Sequence, residues 1–428
     1  MRATLWLLAL FGMAVAIALF AGNNQGTITI FWPPYRVDLS FNLVVLLLAL
    51  LFFTLHVALR ALAALFAMPG HARTWRTQHQ ERTMQLALLD ALWHLMAGRF
   101  IRARKAAEAV LARESAMTAS GETLAYAGRL RVLSHLLAAE SAQALQDKTA
   151  REEHFRQALE QSSRRDAQET REGVHLRAAR WALEDHDAQD ALQWLDGLPL
   201  GASRRTIALR LRLKAARLAR QTRLALETAR LLAKHRAFSE VTAPGILRGL
   251  AVELVRSAYD RDQLLSVWSQ LDATERLTPE VAIEAAQRML KLGGDVEVTR
   301  SWLLPVWERM VEQPGALTDT QRIHLIGALE NGFALASGAP EAPWLTRIEQ
   351  AQMANPGDST LQYLAGITCM RLQLWGKAQQ LLTQSLLKLQ DPGLERNAWA
   401  ALAELAERRG DTTASLQAWQ NAAKAATN

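Results

Sequence analysis

One uncharged run, residues 39–59, most constrains what this 428-residue chain can fold into. Its sequence is LSFNLVVLLLALLFFTLHVAL. At about 1.5 Å per residue a helix of this length reaches roughly 31 Å, close to the ~30 Å hydrocarbon thickness of a bilayer. Because a backbone in lipid must satisfy its hydrogen bonds internally, the run is predicted to be a transmembrane helix that extends to about residue 68.

A second uncharged run, residues 3–21, lies closer to the N-terminus. A cleaved signal peptide is the alternative interpretation, but the run is long and lacks a small-x-small cleavage site before Gly22. We therefore expect a two-helix anchor within residues 1–68. In the loop between the spans, the alternation TITIF predicts a short extended segment, and Pro33-Pro34 predicts a turn.

The orientation of the anchor follows from basic residues near the span ends. Arg2 precedes the first span and Arg36 lies in the loop, whereas several arginines follow the second span. This distribution predicts two spans with both termini in the cytoplasm. Pro69-Gly70 is predicted to break the exit helix and to begin a basic juxtamembrane segment, residues 69–85. The residues expected to lie near lipid are Arg60, His71, Arg73, Trp75 and Arg76.

The remainder of the chain favours helices. Ala, Leu, Arg, Glu and Gln dominate most windows after residue 80, and the whole chain contains only 23 Gly and 12 Pro. The predicted fold class is all-α, with the transmembrane hairpin followed by a right-handed solenoid of tetratricopeptide-like helical hairpins.

Small and large residues recur in a pattern typical of paired helices. Gly366 and Ala403 occupy equivalent places 37 residues apart, and Ala378 and Leu382 lie on the partner helix of Gly366. Degenerate copies recur upstream, around Gly98, Ala139 and Ala179 in their respective segments, and residues 203–237 fit more loosely. The sequence predicts three helical regions: repeats in 86–240, helices with unclear repeats in 241–343, and tetratricopeptide-like repeats in 344–428. Within the middle region, breaks are predicted at Pro244-Gly245, Gly293-Gly294 and Pro314-Gly315.

Catalytic and metal-binding signatures are missing from the sequence. Cys369 is the only cysteine, which excludes paired-cysteine metal sites, and GxGxxG, GxxxxGK[ST], HExxH and GxSxG do not occur. No nucleic-acid-binding motif is present. We assign no catalytic residue, no metal site and no cofactor. His56 and His71 are the weak candidates for haem ligands, with a packed neutral histidine as the ordinary alternative.

The most unusual segment is residues 204–236, which contains eleven Lys and Arg and a single acid, Glu227. Such a basic surface could receive carboxylates from a protein tail or from porphyrin propionates. A solvated basic face that favours solubility or touches anionic lipid is the alternative. The predicted partner-binding residues are Arg204, Arg205, Arg210, Lys214, Arg217, Arg220 and Arg223.

The order of these features resembles the proteobacterial HemY family: an uncharged hairpin, the segment PGHARTW, then AGRFIRARKAAEAVL and helical repeats. The resemblance implies a bacterial inner-membrane tetratricopeptide protein with a non-enzymatic part in late protohaem biosynthesis, which docks pathway enzymes such as ferrochelatase. An unrelated flavin-dependent protoporphyrinogen oxidase shares the name, and this chain lacks the dinucleotide fingerprint that such an enzyme needs. A direct haem or porphyrin binder and an adaptor for envelope assembly are the alternatives.

Overall fold

The computed structural model describes residues 2–23, 25–165, 167–313, 315–335 and 342–425, and these residues are predominantly helical. The chain divides into two compact units, Met1–Arg171 and Glu172–Asn428. The first unit contains, in chain order, α1 (Arg2–Asn23), β1 (Thr27–Trp32), β2 (Tyr35–Ser40), α2 (Phe41–Met96), α3 (Phe100–Ala119), α4 (Ala127–Ala144), α5 (Lys148–Ser162) and a 3-10 turn, Gln168–Thr170.

The second unit is a succession of helices. Its elements are α6 (Arg171–Glu184), whose first residue closes the first unit, α7 (Ala188–Asp196), α8 (Leu200–Ser203), α9 (Thr206–Leu218), α10 (Thr222–Lys234), α11 (Thr242–Ser257), α12 (Arg261–Gln270), α13 (Ala273–Arg276), α14 (Pro279–Lys291), α15 (Val296–Glu312), α16 (Asp319–Leu335), α17 (Ala342–Ala354), α18 (Ser359–Arg371), α19 (Trp375–Ser385), α20 (Pro392–Arg408) and α21 (Thr412–Ala425).

The predicted helical class is confirmed, with one small exception between the first two helices. There β1 and β2 pair antiparallel around Pro33-Pro34, from Trp32 opposite Tyr35 to Thr27 opposite Ser40. The hydroxyl of Thr29 donates to the Asp38 carboxylate at 2.5 Å across the pair. The extended segment predicted from TITIF is therefore one strand of a hairpin.

Within the described residues, one helical stretch is long and apolar enough to cross a membrane: Phe41–Ala63, with a mean hydropathy of 2.5 and no buried residue. A shorter apolar stretch, Leu8–Leu19, lies in α1. The side chains at both ends of α1 fall partly outside the described residues, so the two-span hairpin stays a prediction.

The predicted helix break at Pro69-Gly70 is wrong, because α2 runs without interruption from Phe41 to Met96. A proline inside a helix removes one backbone hydrogen bond, and the alanine-rich sequence before it continues to favour helix. The break predicted at Pro244-Gly245 is also wrong. This pair lies in the first turn of α11, where a missing N–H costs nothing.

The same turn closes seven helical hairpins among the described residues, and it also follows α10 at Arg236. In each, one residue has a positive φ, and the N–H after it bonds to the carbonyl five residues earlier at 2.8 to 3.0 Å, as in a Schellman cap. Four of these seven residues are not glycine. The positive-φ residues are Gly98, Gln146, His186, Arg220, Gly293, Gln373 and Gly410.

Small residues recur seven positions before these turns and allow the paired helices to approach closely. Six of the seven residues at this position are Gly or Ala, and Leu213 before Arg220 is the exception. This explains why residues 203–237 fit the pattern loosely. The six small residues, all buried, are Ala91, Ala139, Ala179, Ala286, Gly366 and Ala403.

The middle of the chain follows the same plan. Gly293 closes the hairpin of α14 and α15, and its preceding small residue is Ala286. One buried cluster extends from Ala216 to Trp302, and a second from Ala282 to Leu405. Both core clusters cross predicted divisions, at 240 and 343 respectively. The domain boundaries at 68, 85, 240 and 343 stay predictions.

We expect Gly366→Ala to destabilise the protein. A Cβ at Gly366 would lie 2.8 Å from Leu382 Cγ and 3.2 Å from the Leu382 backbone nitrogen, so α18 and α19 would have to separate. Overpacking costs about 1–3 kcal/mol, and the helix propensity of Ala offsets up to ~1 kcal/mol of it.

Gly376→Ala is the control for this prediction. A Cβ at Gly376 would have no neighbouring atom within 4 Å, so the variant should be neutral or slightly stabilising. Urea unfolding of the full chain in detergent, followed by circular dichroism, measures both; equal midpoints would contradict the close-contact account.

Candidate functional site

Three helices, α11, α14 and α16, pack side by side and line an open groove of about 910 Å³ in the second unit. Helix α14 contacts α11 on one side and α16 on the other, so the groove lies where these three helices stack. Its walls combine a small apolar strip with charged and amide side chains. The residues that line it are Arg248, Gly249, Val252, Arg256, Glu280, Ile283, Glu284, Gln287, Lys291, Thr318, Thr320, Gln321 and His324.

Two ion pairs cross from α11 to α14 in this groove. Arg248 binds Glu280 at 2.9 Å, and Arg256 binds Glu284 at 2.8 Å. The hydrogen bond that Arg256 donates to the Glu284 carboxylate raises the pKa of Arg256, which keeps its guanidinium charged. These pairs hold the two first helices at a fixed separation and use up the acidic side chains of the groove.

Two basic or titratable groups remain in the groove. Among the described residues, neither Lys291 nor His324 has an ion pair, and both line the groove. The Lys291 ammonium therefore supplies a positive charge that an acidic group entering the groove can neutralise.

A second pocket of about 710 Å³ adjoins the groove at Arg248, which lines both. Its apolar lining comes from Phe238, Pro244, Leu247 and Val281. A polar groove beside an apolar pocket suits a peptide segment with an apolar anchor and a nearby acid.

Sequence reasoning missed this groove. Arg248, Val252 and Arg256 recur every four residues on α11, which is a detectable signal for one helix face. The contribution of α14 and α16 was not detectable, because the repeats of residues 241–343 are too degenerate to align.

Some arginines of the predicted basic segment bind other residues of the chain, and the others do not. All seven predicted partner-binding residues are exposed. Arg205 binds Glu172 at 2.8 Å, Arg223 binds Glu227 at 3.1 Å, and Arg210 donates to the Ala237 carbonyl at 3.1 Å. No ion pair or hydrogen bond of the side chain is described for the remaining four, so they form the free part of the segment within the described residues. These are Arg204, Lys214, Arg217 and Arg220.

The predicted juxtamembrane residues lie on α2. Arg60 falls within the apolar stretch and is exposed, as is Arg76. The Trp75 ring stacks on His79, with centroids 5.4 Å apart and planes 8° from parallel. The side chains of His71 and Arg73 lie outside the described residues. His56 is exposed within the apolar stretch, and its role as a haem ligand stays a prediction.

A pair of histidines connects α4 and α5 in the first unit. His135 Nδ1 and His154 Nδ1 lie 3.2 Å apart, so one neutral ring donates and the other accepts. His154 Nε2 also lies 3.6 Å from Glu108 on α3. Burial, followed by the positive charge of a protonated His154, lowers the pKa of His135 to about 4.

Comparison with known families identifies the N-terminal part of the chain. Residues 26–146 match the family described as the HemY protein N-terminus. These residues are similar to the N-terminal region of HemY proteins. The resemblance noted from the sequence is thereby confirmed over these residues, which include β1, β2 and α2 to α4. Because this region includes the apolar stretch Phe41–Ala63, the HemY-like chain is anchored in a membrane.

Solved structures resemble the chain only loosely. The APC/C hetero-tetramer Cut9–Hcn1 is 13% identical over 79% of this chain and 66% of that chain, with a TM-score of 0.28. Naa15/Naa10 bound to HypK-THB is 12% identical over 77% of this chain and 57% of that chain, with a TM-score of 0.22. The TPR domain of P58(IPK) is 12% identical over 82% of this chain and 98% of that chain, with a TM-score of 0.20. The chain spans less than two thirds of the first two. No curated protein matches it. With TM-scores below 0.5, these similarities do not define the fold, which is instead defined by the repeated turns and small-residue contacts.

The His135–His154 pair should make the stability of the protein sensitive to mild acid. Below about pH 6.5 the unfolded chain takes up a proton at position 135, whereas folded His135 does so only near pH 4. The free energy of unfolding should therefore fall as the pH drops from about 6.5 to 4. In the His135→Gln variant, the decrease in the free energy of unfolding between about pH 7 and pH 5 should be smaller by about 1 kcal/mol. This value is reduced because the ring is partly exposed. Urea unfolding at both pH values, with exposed His235→Gln as the control, tests this; identical pH dependence in both variants would contradict it.

Proposed function

We propose that this HemY-like chain is a non-enzymatic, membrane-anchored scaffold that docks enzymes of late protohaem biosynthesis, such as ferrochelatase. The HemY N-terminal region over residues 26–146 supports the association with haem biosynthesis. The repeated helical hairpins support a role in binding, because stacked hairpins create extended surfaces for partners. We further propose that the helical hairpins within the second unit stack as a right-handed solenoid.

The observation that carries this proposal is the groove on α11, α14 and α16. It joins a positive polar surface around Lys291 to the apolar pocket around Phe238. An acidic segment of a partner enzyme fits both parts: a carboxylate meets Lys291, and an apolar side chain enters the pocket. The free part of the basic segment, which consists of Arg204, Lys214, Arg217 and Arg220, is a second candidate contact for the same partner.

Anchoring in the membrane favours docking on such a surface. A scaffold confined to the membrane raises the effective concentration of a docked enzyme near the lipid where poorly soluble porphyrins partition. Direct binding of a porphyrin is the second candidate function, because Lys291 and His324 are the kinds of group that bind propionates.

We also propose that the chain crosses the bacterial inner membrane twice, with both termini in the cytoplasm. The apolar stretch Leu8–Leu19 supports a first span in addition to Phe41–Ala63. The bias of arginines toward the two outer ends, with Arg36 alone in the β1–β2 segment, supports the orientation.

A reporter fused after Asn428 tests this topology. An enzyme active only in the periplasm should remain inactive, while a cytoplasmic reporter at the same position should be active, because the arginine bias keeps the repeats inside. A fusion in the β1–β2 segment is the matched control and should give the reverse result. Periplasmic activity at the C-terminal fusion would contradict the topology.

Lys291→Glu should weaken partner docking. Reversal of this charge places an acid where a partner carboxylate is expected, and recovery of tetrapyrrole enzymes with the affinity-purified protein should fall about tenfold, equivalent to ~1.4 kcal/mol. The assay is crosslinking in native membranes, purification in detergent, mass spectrometry and porphyrin analysis of the eluate.

Two further variants locate the effect. Lys105→Glu makes the same charge change at an exposed lysine of α3 and should leave recovery unchanged. A double variant, Lys214→Glu with Arg217→Glu, reports on the basic segment alone. Recovery of only envelope-assembly proteins by the unaltered chain would contradict the scaffold role, and porphyrin without enzymes would favour the second candidate function.

A further inference from the structure

Helix α2 presents two different apolar faces beyond its membrane stretch. One face is buried: Met84 and Ala87 join a cluster with Val110 of α3 and Leu130 of α4. Ala91, one turn further on, contributes to a neighbouring cluster with α3 and α4. This face accounts for the packing of α2 against the first unit.

The opposite face carries large apolar side chains that nothing covers among the described residues. We call Leu86, Leu89, Trp93 and Met96 the α2 stripe. Leu86 and Leu89 are each 60% exposed, Trp93 is 67% exposed and Met96 is 82% exposed. Isolated exposed apolar residues are ordinary, but four in succession on one helix face indicate a contact surface.

The spacing of the stripe is that of a coiled-coil seam. Its members follow one another at intervals of three, four and three residues, the a/d pattern of a heptad. At 100° per residue they fall within about 80° of one another around the helix and nearly opposite Met84. The same pattern continues toward the membrane through Arg82, His79 and Trp75, all exposed.

The hydrocarbon of the membrane does not cover the α2 stripe. The apolar stretch ends at Ala63, and α2 continues without interruption. At about 1.5 Å per residue, Leu86 lies roughly 35 Å and Met96 roughly 50 Å further along the helix. A helix that carries the stripe this far from its span keeps it away from the hydrocarbon that surrounds Phe41–Ala63.

A second copy of the chain meets the requirements of this surface. The membrane anchor gives two copies the same direction and the same depth, so their α2 helices run parallel and in register, as an a/d seam requires. The flanking residues Gln85 and Asp90 occupy g and e positions, and a parallel pair places the amide of one against the carboxylate of the other without like-charge contact. Confinement to the membrane raises the effective concentration enough for a short seam to associate.

We propose that the α2 stripe packs against the same stripe of a second copy and forms a parallel, membrane-anchored homodimer. The dimer presents two sets of helical repeats on one anchor. This interface uses none of the residues of the groove on α11, α14 and α16, and it rests only on the membrane anchor of the proposed function.

Disulfide crosslinking of the full chain in native membranes tests the interface. In a Cys369→Ala background, Leu89→Cys should give a disulfide-linked dimer on mild oxidation, because a d position brings the two Cα atoms within disulfide range. Leu133→Cys, an exposed leucine on α4 of the same unit, is the control for random collision. We expect about tenfold more dimer from Leu89→Cys than from Leu133→Cys. Equal yields, or an adduct only to a protein of different mass, would overturn the proposal.

A second measurement keeps the proposal testable if the cysteine disturbs packing. Light scattering of the detergent-purified protein should give the mass of two chains. The double variant Leu89→Glu with Trp93→Glu should give the mass of one chain and should retain the circular dichroism spectrum of a helical protein. A spin label at Leu89→Cys distinguishes the occupants: dipolar coupling between two labels supports the dimer. Accessibility of the label to oxygen dissolved in lipid, without coupling, would show that the stripe lies on the membrane and would overturn the proposal.

Discussion

The close approach of two helices at a small residue is the contact on which the repeats of this protein depend. Gly366 leaves room for Leu382 on the next helix, and a methyl group in its place would meet that side chain at 2.8 Å. Equivalent places elsewhere hold fully buried alanines, including Ala139, Ala179 and Ala403. The dispersion energy of such contacts depends on distance, so this close packing fixes how each hairpin pairs and therefore where the next hairpin stacks.

That arrangement also produces the candidate site. Because α14 stacks between α11 and α16, the three helices form a continuous surface without any of them carrying a motif. The ion pairs Arg248–Glu280 and Arg256–Glu284 span neighbouring helices of this surface, whereas Lys291 has no ion pair among the described residues. A binding surface of this kind is a property of repeat geometry, which is consistent with a sequence that lacks catalytic signatures.

Much of this could be predicted from the sequence, for physical reasons. The span around residues 41–63 is detectable because a lipid-exposed helix requires an unbroken apolar run, and the repeat is detectable at Gly366 and Ala403 because a steric requirement restricts residue size. The turns were harder to find. Gln146, His186 and Gln373 adopt positive φ without being glycine, so they leave no sequence signal, and the tertiary contacts of each hairpin hold them there.

Two features were misjudged, for different reasons. Pro69-Gly70 has the composition of a break, yet α2 continues through it to Met96. The groove needed the stacking of three helices, which no local window contains. The central claim is that this groove binds another protein at the membrane. Its most direct test places a photo-crosslinking amino acid at Ile283, on the groove wall, and identifies the adducts from native membranes by mass spectrometry. We predict adducts with an enzyme of tetrapyrrole synthesis, and the absence of any protein adduct would contradict the account.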